Sequence, residues 1–198
     1  FNSQPAGEII LADDCSQDDS LDYAASLQKK YPQLKIISRK ENLGFGANSN
    51  DAVRQSIGDY VVLLNSDIRT YPGYLLPSIK HFRDPKIFGV GFCEVGRENW
   101  ARIFWKQGYL QYEPGTPINQ THISAWLSGG SSIINKAAFL KLGGFDHIYS
   151  PFYSEDLDLG YRAWKSGYRI LWEPKCRIEH GHEATTSRFP RRFLEYVK

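Results

Sequence analysis

The 198-residue chain contains no methionine and only three cysteines, Cys15, Cys93 and Cys176. An odd number at long spacings, with no CxxC pair, speaks against a disulfide framework or a zinc site and for free thiols in a reducing compartment. No apolar run approaches the roughly 20 residues that a helical span of a bilayer needs, and no signal-peptide core is present. Charge of one sign is scarce too: 24 Lys and Arg against 22 Asp and Glu leave a formal net charge of +2, too little for bulk attraction to nucleic acid. These absences lead us to expect a cytoplasmic protein with no nucleic-acid partner. The chain starts at Phe1, so it also reads as a fragment whose first element lies upstream.

What is present is a core. With 41% hydrophobic residues the chain suits one α/β domain. The most informative stretch is Asp59 to Asp67, DYVVLLNSD. Val61 to Leu64 form the unbroken aliphatic run of a strand covered on both faces, and Asn65, Ser66 and Asp67 end it abruptly. Ligands of open α/β sheets bind beyond the carboxyl ends of the strands, so Asp67 stands where chemistry is done. Pro72 marks the first turn of the next helix, expected over Tyr71 to Phe82, and this leaves Asp67 too far upstream to be its cap.

The same pattern recurs upstream. A strand at Glu8 to Ala12 runs into the acidic turn Asp13, Asp14, Cys15, Ser16, and a helix from Ser20, with Leu21, Ala24, Ala25 and Leu27 inward, stops at Pro32. A strand at Leu34 to Ser38 precedes ENLGFGANSND, which opens a helix carrying Ala52, Val53 and Ile57. Together these give a β-α-β-α-β alternation and predict a doubly wound, mostly parallel sheet flanked by helices.

Ile87 to Val95 reads as another strand. Between Arg97 and Trp126, the spacing of Trp100, Ile103 and Phe104 predicts an amphipathic helix on the core. Ser128 to Ser131 bring a backbone close to a ligand or form a tight turn. Lys136 to Leu142 is a short helix stopped by Gly143 or Gly144. Ser154 is the expected N-cap of a helix ending before Gly167, with Leu157, Tyr161 and Trp164 as its buried stripe. Glu155, Asp156 and Asp158 crowd its first turns, where favourable interaction with the helix dipole is the structural alternative to a catalytic role. A strand at Tyr168 to Trp172 leads to His180 and His182.

Carboxylates at Asp13 with Asp14, at Asp67, and at Glu155 with Asp156, joined by late histidines, suit two tasks. One is to hold a divalent cation; the other is to place a free carboxylate as general base. Neutralising a nucleotide diphosphate needs the first, and attack by a hydroxyl needs the second.

EIILADDCSQDDS, ENLGFGANSNDA, DYVVLLNSD, LGGFD, SEDLDLGYRAWKSGYRI and the Pro174 to His180 spacing resemble the successive motifs of family-2 inverting glycosyltransferases. The likeness is nearest to the bacterial rhamnosyltransferase-like branch that builds cell-surface polysaccharides and glycolipids. It implies a GT-A fold, with residues 1–95 as nucleotide-binding half and 96–198 as acceptor-binding and catalytic half of one domain. It further implies that Asp13 contacts the nucleobase, with Asp14 and Ser16 beside it, and that Asn42, Gly44 and Asn50 approach the nucleotide. Asn65, Ser66 and Asp67 stand at the DxD-type motif, with Asn65 in place of the first acid. Asp67 and His180 would ligate Mn²⁺ or Mg²⁺, Asp156 would be the base with Glu155 beside it, and Trp126, Gly129 and Gly130 would meet the acceptor. The implied partners are a nucleotide-diphosphate sugar and a glycan or lipid-linked hydroxyl.

Two other readings were weighed. A non-catalytic nucleotide-sugar or glycan-binding module of the same fold would bind without turnover. A dinucleotide-binding oxidoreductase would use Gly44 and Gly46, but Ser49 replaces the third glycine and the strand-to-glycine turn is too long. Arg188, Arg191 and Arg192 with Phe189 and Phe193 read as a solvated helix face, the alternative being peripheral contact with an anionic membrane on its inner side.

Overall fold

The computed structural model describes residues 6–97, 100–116, 118–150 and 153–181. His182 and the arginine cluster at 188–192 lie outside the described residues.

β1 (Ile9–Asp13), α1 (Ser20–Gln28) and β2 (Leu34–Ser38) form the expected β-α-β unit, its strands parallel from Ile9 opposite Leu34 to Asp13 opposite Ser38. The inward face of α1 is narrower than its pattern suggests: Ala24 is buried, Leu21 and Leu27 are half-buried and Ala25 is exposed. α2 (Phe45–Gln55) follows, with Val53 buried and Ile57, beyond its end, exposed.

The larger sheet is mixed. β3 (Tyr60–Leu64), β9 (Ser131–Asn135), β5 (Ile87–Glu94), β10 (Arg169–His180) and β4 (Ile68–Thr70) hydrogen-bond in that order, with β8 (His122–Ile123) also on β10. β5 and β10 are parallel, whereas β9 runs antiparallel to both of its neighbours and β4 and β8 run antiparallel to β10. The α/β class is as expected, but among the described residues parallel pairing holds only for β1 with β2 and β5 with β10. β9 enters at the edge where β3 ends, Leu64 lying opposite Ser131, with no crossover helix to turn it round. Two apolar clusters fill the interior. Val53, Phe88, Ile134, Phe139, Leu159 and Ile170 belong to one, and Tyr74, Phe82, Val90, Phe92, Ile133 and Ile178 to the other.

Four stretches differ from expectation. The helix anticipated from Tyr71 is the short α3 (Leu76–Ile79) plus a 3₁₀ turn at Lys80–Arg83, with Pro77 in its first turn in the role assigned to Pro72. The helix anticipated after Arg97 is instead a hairpin, β6 (Ala101–Lys106) and β7 (Tyr109–Pro114), turned by Gln107 and Gly108 at φ 52° and 82°. Two central residues at positive φ give the hairpin its native twist, and glycine takes the second without strain. β10 runs on to His180, so this histidine ends a strand and does not sit in a loop. Along α5 (Glu155–Lys165) the buried line is Leu159, Gly160 and Ala163, with Tyr161 39% exposed.

Candidate functional site

The ends of β3, β5 and β10 and the beginning of β9 share one edge of the sheet, because β10 runs parallel to β5 and Leu64 faces Ser131. Asp67, His180 and Asp156 gather along this edge through a continuous set of contacts. The Asn65 amide donates to the Gly130 carbonyl at 2.9 Å, and a side chain at Gly130 would collide with Asn65. Beyond them, Asp67 Oδ1 stands 3.1 Å from His180 Nε2. The backbone fixes this pair: His180 is registered opposite Ile68, and the Gly181 amide donates to the Asp67 carbonyl at 3.0 Å. At the other end of the edge, Gly129 donates its amide to the Asp156 carboxylate.

Asp156 also accepts from the Leu157 amide at 2.8 Å. Burial still raises its carboxyl above the ordinary carboxylate range, with these amide bonds pulling the other way. Glu155 is 8% exposed, and its Oε2 has no hydrogen-bond partner among the described residues. Burial first, and then the neighbouring Asp156 charge, push it up to about 7, against its own backbone hydrogen bond. Ser154, the expected cap, adopts a left-handed conformation at φ 83° and makes no side-chain cap bond. Two adjacent acids with raised pKa values in a cleft mark a candidate catalytic centre.

In the β1–β2 unit, Asp13 is buried and its carboxylate accepts from the Ser16 amide at 3.1 Å. Three implied ligands hold the loop itself. Asp14 accepts from the Leu43 and Gly44 amides at 3.0 and 2.7 Å, and Asn42 donates to the Asp14 carbonyl at 3.1 Å. Asn50 clamps α2 to the Gly-Gly-Phe-Asp turn, donating to the Phe145 carbonyl at 2.8 Å and accepting from its amide at 2.9 Å. Asn50 and Asp14 are therefore occupied in shaping the site, a different task from the one the resemblance implies. Arg162 fastens the same turn through Leu142 and Gly144 carbonyls and the Asp158 carboxylate, which accounts for that third acid.

The hairpin supplies a feature that helical spacing hid. Ile103, Trp105 and Tyr112 share one face by strand alternation and pairing, and the Tyr112 ring packs 5.1 Å from that of Trp126. Trp105 and Tyr109 are 71% and 72% exposed. Sequence reading also passed over Glu94, buried at the end of β5 with Oε2 at 3.8 Å from His180 Nδ1. Its signal was in plain sight, a lone acid closing the apolar run IFGVGFC, by the logic applied to Asp67. A cavity of about 320 Å³ lined by Cys93, Val95, Trp172 and Arg177 contains none of the candidate acids.

The donor set suits a hard divalent ion. Adjacent ligands of an octahedral ion at about 2.1 Å stand roughly 3 Å apart, which the Asp67 and His180 atoms match. Among the described residues no group of three or more His, Cys, Asp or Glu forms a full metal cage. Further ligands would come from water and phosphate oxygens, the habit of Mg²⁺-type sites.

The sequence profile of glycosyl transferase family 2 matches residues 3–143. The chain is 26% identical over 223 residues to the N-acetylglucosaminyl-diphospho-decaprenol L-rhamnosyltransferase of Mycobacterium tuberculosis, covering 92% of this chain and 69% of that enzyme. It is 25% identical to N-acetylgalactosaminyltransferase 7 of Drosophila melanogaster, covering 87% of this chain but 33% of the relative. Among solved structures, GalNAc-T7 with UDP, GalNAc and Mn²⁺ superimposes with a TM-score of 0.72 at 19% identity, over 88% of this chain and 37% of that one. S. aureus TarS residues 1–349 in complex with UDP-GlcNAc gives 0.64 at 20%, over 95% and 54%.

Proposed function

The chain belongs to glycosyl transferase family 2, and from that premise we propose that it transfers a hexosyl or rhamnosyl group, with inversion, from a nucleotide diphosphate to a hydroxyl of a bacterial cell-surface glycan or glycolipid. The observation that carries this reading is the single edge on which a half-buried carboxylate, Asp156, and an acid–imidazole pair, Asp67 with His180, are tied together through Gly129, Gly130 and Asn65.

Asp156 takes the acceptor proton as the oxygen attacks the anomeric carbon. A base with a raised pKa is stronger once ionised, and the Gly129 and Leu157 amides hold it in one orientation. Asp67 and His180 would hold Mn²⁺ or Mg²⁺, which when bound offsets the charge of the departing diphosphate. Asp13 and Ser16 meet the nucleobase, while Asp14, Asn42 and Gly44 shape the loop beside it. Trp126, Tyr112 and Trp105 offer aromatic faces to the acceptor sugar, continuous with the base because Trp126 lies three residues before Gly129. That continuity is rigid: a side chain at Gly160 would come within 2.9 Å of the Trp126 backbone, so α5 packs directly on this segment. Resemblance to a rhamnosyltransferase named for a lipid-linked acceptor favours a lipid diphosphate glycan as substrate. Among the described residues no helix is long and apolar enough to cross a membrane.

The test is a panel of UDP-, GDP- and dTDP-sugars with Mn²⁺ or Mg²⁺, read by thermal shift and by sugar transfer or donor hydrolysis. Metal-dependent stabilisation by one nucleotide class, with turnover, is expected. Binding without any hydrolysis or transfer would make the chain a binding module instead.

A further inference from the structure

We propose that Glu94 is the positioning residue for His180, holding the imidazole with Nδ1 toward Glu94 so that Nε2 is the atom offered to a cation beside Asp67; this rests on the metal-holding reading of the Asp67–His180 pair. Strand register sets the arrangement. Glu94 is paired with Ile178 across parallel β5 and β10, and the Val95 amide donates to the Ile178 carbonyl at 2.9 Å. Two residues further on, β10 delivers His180 past the end of β5, and its pairing with β4 sets it against Asp67.

The imidazole thus stands between two carboxylates. Nε2 is 3.1 Å from Asp67 Oδ1, Nδ1 is 3.8 Å from Glu94 Oε2, and the other Glu94 oxygen is 3.6 Å from Arg97 Nε. An ionised carboxylate only accepts, so without a cation Asp67, the nearer acid, draws the ring proton to Nε2; a cation held there would leave the proton on Nδ1, where Glu94 accepts it. At 3.8 Å the contact is one of charge, and an intervening water or a sub-ångström shift converts it to a hydrogen bond. Carboxylates behind metal-binding histidines act in this way, orienting the ring and raising its basicity. Asp67 and His180 come from distant parts of the sequence, so a ring free to turn about its χ angles would leave the half-site undefined; Glu94 removes that freedom.

The experiment follows Mn²⁺ binding in the presence of UDP by electron paramagnetic resonance, for the unaltered chain and for Glu94→Ala, Glu94→Gln, His180→Ala, Asp67→Asn and the Glu94→Ala/His180→Ala pair. Glu94→Ala is expected to weaken Mn²⁺ about 10- to 100-fold. Glu94→Gln, whose amide oxygen still accepts from Nδ1–H, should retain most of the affinity, and Glu94→Ala should cost nothing more once His180 is gone. Unchanged affinity in Glu94→Ala, a Gln variant as weak as the Ala variant, or an equal further loss in the paired variant would each overturn the proposal. If Asp67→Asn abolishes Mn²⁺ binding while Glu94→Ala does not affect it, the positioning role alone falls; if the unaltered chain binds no Mn²⁺, the metal reading falls with it. Should the variants not fold, ¹⁵N shifts of histidine-labelled unaltered protein at pH 8 with UDP and Mg²⁺ decide: an Nδ1–H ring for His180 supports the role and an Nε2–H tautomer ends it.

Discussion

His180 Nε2 and Asp67 Oδ1 meet at 3.1 Å because β10 outlasts its partner strand and folds its last residue against β4. If this contact is one edge of a cation site, replacing Asp67 with Asn should remove the Mn²⁺-dependent rise in melting temperature that UDP confers. The melting temperature without ligand should stay close to that of the unaltered chain, since the pair is partly exposed. Differential scanning fluorimetry with and without Mn²⁺ provides the check.

Asp156→Asn should lower transfer by about 10²–10⁴-fold while UDP and Mn²⁺ still bind. A general base works only when unprotonated, and burial raises this one. The acidic limb of kcat/KM against pH should therefore lie above the ordinary carboxylate range, with the rate climbing as pH rises through it. A limb near pH 4 would contradict the assignment.

Glu155 makes a separate prediction about stability. Its carboxyl is pushed up to about 7 in the fold from an unfolded value of 4.5, so between these values the folded state binds more protons than the unfolded state. Stability accordingly falls as pH rises from about 4.5 to 7. Glu155→Gln should flatten that fall and gain up to about 3 kcal/mol at pH 8, on the scale of about 1.4 kcal/mol per unit. Urea melts at pH 5 and pH 8 would reveal it.

Asn50→Ala removes both halves of the clamp to Phe145 and leaves a buried amide and carbonyl unpaired. A loss of about 2–4 kcal/mol in urea unfolding is expected. The nucleotide should bind normally to whatever fraction remains folded.

Trp126→Ala and Trp105→Ala should raise the acceptor KM several-fold while leaving UDP affinity unchanged by isothermal titration. Stacking on a sugar face acts on the acceptor alone. Equal losses on both substrates would place these rings elsewhere in the mechanism.

Much of the candidate site is legible in the sequence because it obeys a positional rule: acids and histidines at or just past strand ends. Asp13, Asp67 and His180 follow it. So does Glu94, the last residue of β5, which the apolar run from Ile87 to Val95 hides inside an ordinary strand. Asn50 was legible as a motif residue but not as a clamp, since its partner Phe145 is remote in sequence and only tertiary packing brings the two together. The hairpin was misread because Trp100, Ile103 and Phe104 satisfy a helical period over one turn, while the Gln107-Gly108 turn and the alternation of Ile103 with Trp105 were the better signal. The antiparallel course of β9 leaves no mark on its own residues: Ile133 and Ile134 read the same in either direction.

The β6–β7 ribbon completes its ladder with itself, closed at its base by the Gly115 amide to the Trp100 carbonyl, and among the described residues its backbone tie to the body lies there too, the Ala125 amide to the Ala101 carbonyl. Its outer residues can therefore be rewritten without re-registering any strand of the main sheet. If the ribbon meets the acceptor as proposed, grafting one of different lettering onto this root offers a route to redirecting the enzyme toward new acceptors without touching Asp67, Asp156 or His180.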